Sequence, residues 1–266
     1  MTRVRRGKVL VISLILAGAT TFVASAQPPS HGREPPSILE GVLGNFASSP
    51  EVSTAQLQVA LAESNAIVLD ARPYEEYSVS HIPGAQSVPG KPGTTPALYV
   101  ADTTEILKRV PNKVQPLILY CNGLFCGRSE RFAEELIKAG YQNVRRYQLG
   151  APTWRALGGV MQVEKPALLR LLGQDMTAVL IDGRQEADRK SRVRNAVPIP
   201  LFEASKAKDD GRLPMADHNT RIFVVASNGT EARSVAEAIV RDAFHNVTFF
   251  DGPITDLPEL LEDAGH

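Results

Sequence analysis

One residue order occurs twice in this chain, and the duplication restricts its fold more than any other feature. Thr54, Ala55, Gln56 and Leu57 open a helical pattern that leads to the apolar run Ala66-Ile67-Val68-Leu69-Asp70-Ala71-Arg72. Lys165, Pro166, Ala167 and Leu168 lead in the same way to Ala178-Val179-Leu180-Ile181-Asp182-Gly183-Arg184. The run LILYCNG, residues 117–123, is echoed by FVVASNG, residues 223–229. Beyond it Ala133, Leu136, Ile137, Tyr141, Asn143 and Val144 return as Ala236, Ile239, Val240, Phe244, Asn246 and Val247 at one constant offset. A shared order over strand, loop, helix and strand identifies a tandem repeat of one α/β domain. The strand-like runs are short, continuous and rich in Val, Ile and Leu, and amphipathic helical stretches separate them. That pattern implies small, mostly parallel sheets flanked by helices on both faces. In the predicted helix 129–138, Phe132, Ala133, Leu136 and Ile137 form the buried stripe and Glu130, Glu134, Glu135 and Lys138 the wet face.

Ahead of the repeats, Arg3, Arg5, Arg6 and Lys8 precede the run VLVISLILAGATTFVA and then Ala24-Ser25-Ala26. This is the layout of a secretory signal peptide over residues 1–26, so the expectation is an exported protein, periplasmic or secreted. The apolar run is borderline in length for crossing a bilayer, which leaves an uncleaved anchor as the alternative. A Pro, Ser and Gly-rich linker follows over 27–50, then one domain over 51–160 and a second over 161–266. Lys plus Arg and Asp plus Glu each number 29, without a block of like charge. Neither nucleic acid nor a membrane surface is therefore implied as a partner.

The sequence Leu117-Ile118-Leu119-Tyr120-Cys121 stops an apolar strand on a cysteine, and a polar loop containing glycines then leads into a helix. That stretch holds both cysteines of the chain, Cys121 and Cys126. Two cysteines in an exported chain are too few for a disulfide framework, so their proximity needs a local reason. A helix amino-terminus presents unpaired N–H groups and the positive end of its dipole, which favour an anion such as a thiolate. In open α/β sheets ligands sit at the carboxyl ends of strands, where Cys121 falls.

The first half resembles a rhodanese domain, the sulfurtransferase fold. The residues that carry the resemblance are VLDARPYEEYSVSHIPGAQSVP (68–89), the cysteine-ended strand 117–121, Arg128-Ser129, and AGYQNVRRYQLGAPTWRALGG (139–159). The second half looks like a diverged copy that keeps Asp182 and Arg184 but replaces His-Ile-Pro-Gly-Ala by Arg192-Val193-Arg194-Asn195-Ala196. Two departures stand out. Arg128 lies seven positions after Cys121 instead of five, with Cys126 between, which resembles a subgroup with a Cys-x-Gly-x-x-Cys loop. The cysteine also belongs to the amino-terminal copy, whereas tandem rhodaneses of the usual kind keep theirs in the carboxyl-terminal one.

The resemblance implies that the Cys121 thiolate attacks the outer sulfur of a small anionic donor such as thiosulfate and forms a persulfide, which a thiol or cyanide-like acceptor removes. Lowering a cysteine pKa by about two units takes roughly 2.7 kcal/mol, beyond the ~0.3–1 kcal/mol of an exposed helix terminus. The N–H groups of Asn122, Gly123, Leu124, Phe125, Cys126 and Gly127 are expected to supply the difference, with the two glycines allowing the curvature. Arg128 either grips the anionic donor or is a solvated residue at the helix start. Cys126 is open between a resolving thiol, a structural partner and a bystander. Closing so short a loop is worth only about 2 kcal/mol, which favours a redox or protective role. Asp70, Arg72, Glu76 and His81 are expected to secure the strand end and its turns, and Trp154 to anchor the core. His31, His218, His245 and His266 lack ligand spacing, so neither a metal nor another cofactor is expected. Ser227 stands where the first half has Cys121 and cannot store sulfane sulfur, so the second domain is expected to be inactive and to support the first. Two other readings remain: a thiol–disulfide redox protein cycling Cys121 and Cys126, and a non-catalytic binding module.

Overall fold

The computed structural model describes residues 49–262, so the expected signal peptide and nearly all of the expected linker lie outside the described residues. The first half runs α1 (Thr54–Glu63), β1 (Ile67–Asp70), α2 (Tyr74–Val79), β2 (Gln86–Ser87), α3 (Thr103–Arg109), β3 (Leu117–Tyr120), α4 (Arg128–Lys138), β4 (Val144–Tyr147) and α5 (Gly150–Ala156). The second runs β5 (Met161–Val163), α6 (Lys165–Gln174), β6 (Val179–Asp182), β7 (Ala196–Pro198), β8 (Ile222–Ala226), α7 (Gly229–Val240) and β9 (Val247–Pro253). Local chemistry explains the starts. At α1, the Ser53 hydroxyl accepts from the Gln56 N–H, and the Gln56 side chain accepts from the Ser53 N–H, a reciprocal cap. Pro166 enters the first turn of α6, where its missing N–H costs nothing.

Both sheets are parallel throughout, in the orders β2-β1-β3-β4 and β5-β9-β8-β6-β7. The difference in strand number is small in substance. Glu51 forms a parallel bridge to Arg146 on β4, with the Val52 N–H donating to the Arg146 carbonyl and the Arg146 N–H to that of Pro50. Residues 50–52 thus flank β4 as β5 flanks β9, and the two halves share one topology.

Alternation along the central strands sends their residues to opposite faces. Leu117 and Leu119 of β3 pack with Phe132, Ala133 and Leu136 of α4, while Ile118 and Tyr120 pack with Leu57 of α1 and Trp154 of α5. In the copy, Ile222, Val224 and Ala226 meet Val235, Ala236 and Ile239 of α7, and Phe223 and Val225 meet Leu168 and Leu171 of α6. Every residue of β3 and of β8 is buried, as a strand covered on both faces requires. Trp154 is buried, and its indole N–H donates to the Val160 carbonyl at 3.0 Å.

The halves are stitched at one seam. His81 and Gln162 exchange both backbone hydrogen bonds, at 3.0 and 2.8 Å, and the Glu164 N–H donates to the Ser78 carbonyl at 2.9 Å. Met161 completes a core cluster of the first half, and Val79 packs on one of the second.

Candidate active site

Cys121 follows β3 directly and is 1% exposed. The strand before it is locked from below. The Asp70 carboxylate, level with Tyr120 across β1 and β3, accepts from the Tyr120 hydroxyl at 2.6 Å, from the Arg72 N–H at 3.0 Å and from the Arg72 guanidinium at 2.5–3.0 Å. Arg72 also donates to the Ser80 carbonyl at 2.7 Å, and the Tyr120 oxygen accepts from the Ile82 N–H at 3.1 Å. Burial disfavours the Arg72 charge, yet the Asp70 hydrogen bonds and charge outweigh it and raise the guanidinium pKa above its usual value. Burial first, and Asp70 second, push the Tyr120 phenol well up, so it stays a neutral donor. The copy repeats this clasp. Arg184 donates to Asp182 at 2.8–3.1 Å and to the Ser191 carbonyl at 2.8 Å, although the turn that follows has lost its His-Ile-Pro-Gly-Ala sequence.

Above this floor, residues 122–127 form an irregular loop, and α4 begins at Arg128, one residue earlier than the sequence pattern predicts. Gly123 sits at φ +98°, in the left-handed region. Gly127 has φ −72° and open space where a Cβ would be, so it is not required for curvature, contrary to expectation. Sequence reasoning missed a more demanding glycine. Gly150 has φ +65°, and a Cβ there would overlap the Cys121 carbonyl and the Gly123 backbone. The Ala151 N–H donates to that same carbonyl at 3.1 Å, so the start of α5 holds the loop from beneath. The available signal was a glycine three residues past the end of a strand, in the segment Gln148-Leu149-Gly150-Ala151.

Cys121 and Cys126 form a disulfide with a Cα–Cα distance of 6.2 Å. The Cys126 N–H donates to the Gly123 carbonyl at 3.0 Å, closing a turn that brings Cys126 back over Cys121. That N–H is therefore spoken for, and the expected ring of loop donors is one short in this oxidised arrangement.

Glu76 does more than secure the strand end. Its carboxylate accepts from the Asn122 side-chain amide and from Arg128 at 2.9 Å, clasping the residue after Cys121 to the residue that opens α4. Arg72 reaches the Asn122 side-chain oxygen at 3.4 Å. Arg128 lies over the Tyr99 ring, 5.9 Å from its centroid, so it is paired and stacked instead of solvated. Phe125 projects from the loop, 93% exposed. His81 stands apart from the loop, at the seam, stacked on Tyr77 with 3.8 Å between ring centroids. Among the described residues, no three His, Cys, Asp or Glu side chains converge to hold a metal ion, and no helix is long and apolar enough to cross a membrane.

The equivalent position in the copy is filled from within. Asn228 caps α7 by accepting from the Glu231 N–H at 2.9 Å, and the Glu231 carboxylate accepts from the Ser227 N–H at 3.0 Å. A carboxylate thus sits on the backbone donor that follows β8. By contrast, α4 has no side-chain cap, which leaves its first-turn N–H groups without a side-chain acceptor.

The family model for the Rhodanese-like domain matches the chain twice, over residues 53–157 and 165–257. A thiosulfate:glutathione sulfurtransferase of Saccharomyces cerevisiae is 29% identical over 102 residues, covering 36% of this chain and 70% of that protein. An HTH-type transcriptional regulator of Mycobacterium tuberculosis is 28% identical over 112 residues, 41% of this chain and 44% of that protein. Among solved structures, a thiosulfate sulfurtransferase from Pseudomonas aeruginosa aligns with a TM-score of 0.35 and 19% identity, over 81% of this chain and 44% of that one. The chain spans less than half the length of the last two.

Proposed function

Because this chain belongs to the rhodanese-like domain family, matched in both of its halves, we propose that it is a sulfurtransferase whose first domain, residues 51–160, carries sulfane sulfur on Cys121. The observation that carries the reading is the contrast between the two strand ends. One presents a cysteine beneath an uncapped helix start, and the other a serine whose own backbone N–H is occupied by the Glu231 carboxylate. The thiosulfate and glutathione in the yeast relative's name support a small thiosulfonate-type donor and a thiol acceptor. In the reduced protein, the Cys121 thiolate attacks the outer sulfur of the donor. The donor's S–S bond breaks and sulfite leaves with the electron pair. The acceptor then attacks the outer sulfur of the persulfide and restores the Cys121 thiolate. Arg128 would exchange Glu76 for the donor anion during binding. The second domain, residues 161–266, braces α2, and thereby Glu76, through the seam at 78–81. Export rests on the amino-terminal segment 1–26 alone.

Thiocyanate formation from thiosulfate and cyanide by the reduced chain tests this reading. Cys121→Ser should abolish turnover, and an unchanged rate would remove Cys121 from the reaction. The disulfide itself favours a second reading, a thiol–disulfide redox protein. Its signature is a dithiol potential within the range of known oxidoreductases, about −120 to −270 mV, with no transfer of sulfur.

A further inference from the structure

The Cys121–Cys126 bond places the Cys126 sulfur within bonding reach of the Cys121 sulfur, through a turn the loop already holds with the Cys126 N–H on the Gly123 carbonyl. Resting on the sulfurtransferase reading, we propose that Cys126 is the protein's own sulfur acceptor: it displaces the sulfur loaded on Cys121 as hydrosulfide. The Cys126 thiolate attacks the inner sulfur of the persulfide, which is Cys121 Sγ. The Cys121–Cys126 bond forms, the bond to the outer sulfur breaks, and that sulfur departs with the electron pair as HS⁻. The loaded sulfur is reduced to sulfide and the two thiols are oxidised to the disulfide, so electrons balance within one chain.

Three features favour the internal acceptor. With Cys126 folded over it Cys121 is 1% exposed, so the loop that carries Cys126 itself shields the inner sulfur from an external thiol. Cys126 is tethered five residues away, and a tethered, oriented thiol outcompetes millimolar thiols in solution. The bond present in the structure is the bond that this step makes. The disulfide must then be reopened by an external dithiol. Cys126 is the more exposed of the two residues, so the first thiolate attacks there, forms a mixed disulfide on Cys126 and expels Cys121 as the thiolate. The second thiol of that partner releases Cys126 and leaves the partner oxidised. The exposed Phe125 beside Cys126 lies at the point of approach. The step gives the protein a dithiol-dependent release of sulfide beside transfer to a free acceptor.

A single-turnover experiment decides this. The full chain is reduced with dithiothreitol, freed of it without air and given thiosulfate alone, and sulfite, hydrosulfide and intact mass are followed. Sulfite reports loading and hydrosulfide reports displacement. The wild type should release both in equal amounts and end about 2 Da lighter than the reduced chain. Cys126→Ser and Cys126→Ala should release sulfite only and keep a gain of about 32 Da, with hydrosulfide slower on the order of tenfold or more. Sulfite release with a lasting persulfide in the wild type would overturn the internal acceptor and leave sulfur transfer intact. Disulfide formation without hydrosulfide would also overturn it. Absence of sulfite from all three proteins would overturn the sulfurtransferase reading itself.

Discussion

Acid should loosen the seam between the two halves, and His81 is the group responsible. Its side chain is fully buried, its Nδ1–H donates to the Tyr77 carbonyl at 3.0 Å, and its ring stacks on Tyr77. That bond fixes the neutral tautomer, with Nε2 bare and the Glu164 carboxylate 3.7 Å away, beyond hydrogen-bond distance. Burial is the dominant effect and lowers the His81 pKa to about 4; the Tyr77 carbonyl, Asp70 and Gln162 oppose it, and Arg72 assists it. A histidine whose pKa is depressed by folding leaves stability untouched above its unfolded value near 6.5. As pH falls from there, the unfolded chain takes up a proton that the folded chain refuses. Stability is lost through the window and levels off below about 4. At about 1.4 kcal/mol per pH unit, the loss over the window is about 3 kcal/mol. Glu164 acts in the opposite sense, since burial and then Asp251 raise its pKa and protonation relieves that burial. Urea unfolding of the wild type and of His81→Gln at half-unit steps from pH 7.5 to 3.5 separates the two effects, because only the His81 contribution disappears in the variant. The wild type should lose about 3 kcal/mol more than the variant between pH 6.5 and 4. Parallel pH profiles for the two proteins would refute the reasoning.

Other substitutions probe the floor, the loop and the copy. Asp70→Asn leaves the buried Arg72 without its counter-charge and should cost about 3–5 kcal/mol in chemical denaturation; a loss below about 1 kcal/mol would mean that Arg72 finds another partner. Gly150→Ala places a Cβ against the Cys121 carbonyl from a left-handed backbone, which alone costs about 1–2 kcal/mol. Sulfur loading of that variant should slow, and an unaltered loading rate would show the loop free of α5. Ser227→Cys should yield a thiol without enhanced reactivity, because the Glu231 carboxylate already accepts from the backbone N–H of residue 227. Alkylation rate against pH is the readout, and a thiolate titrating near that of the first domain would contradict the self-filled site.

The topology was legible because a parallel sheet covered on both faces writes each strand as an uninterrupted apolar run, and because the run occurs twice in the same order. Residues 50–52 escaped notice because a three-residue edge segment beside β4 carries too little pattern to be seen. Cys121 was visible from its position at a strand end, and the likeness to rhodaneses supplied its chemistry. The Asp70–Arg72 clasp was anticipated in kind, yet its third member, Tyr120, entered only as part of an apolar strand, since a hydroxyl directed at a buried carboxylate leaves no trace in hydrophobic periodicity. Glu76 was read as support for β1, whereas its two partners, Asn122 and Arg128, follow the neighbouring strand β3, far along the chain. Contacts at such separation have no local signature. Gly150 and Gly127 reverse the expected order of importance, because composition counts glycines and only backbone geometry shows which one a Cβ would break.

Peptide-level mass analysis of the reduced chain after thiosulfate treatment, in a Cys126→Ser background that retains the loaded sulfur, addresses the role of Cys121 most directly. A cyanide-labile gain of about 32 Da on the peptide containing Cys121, lost when Cys121 is also replaced by serine, is the predicted result. A gain that survives that second replacement, or none at all, would contradict a persulfide on Cys121.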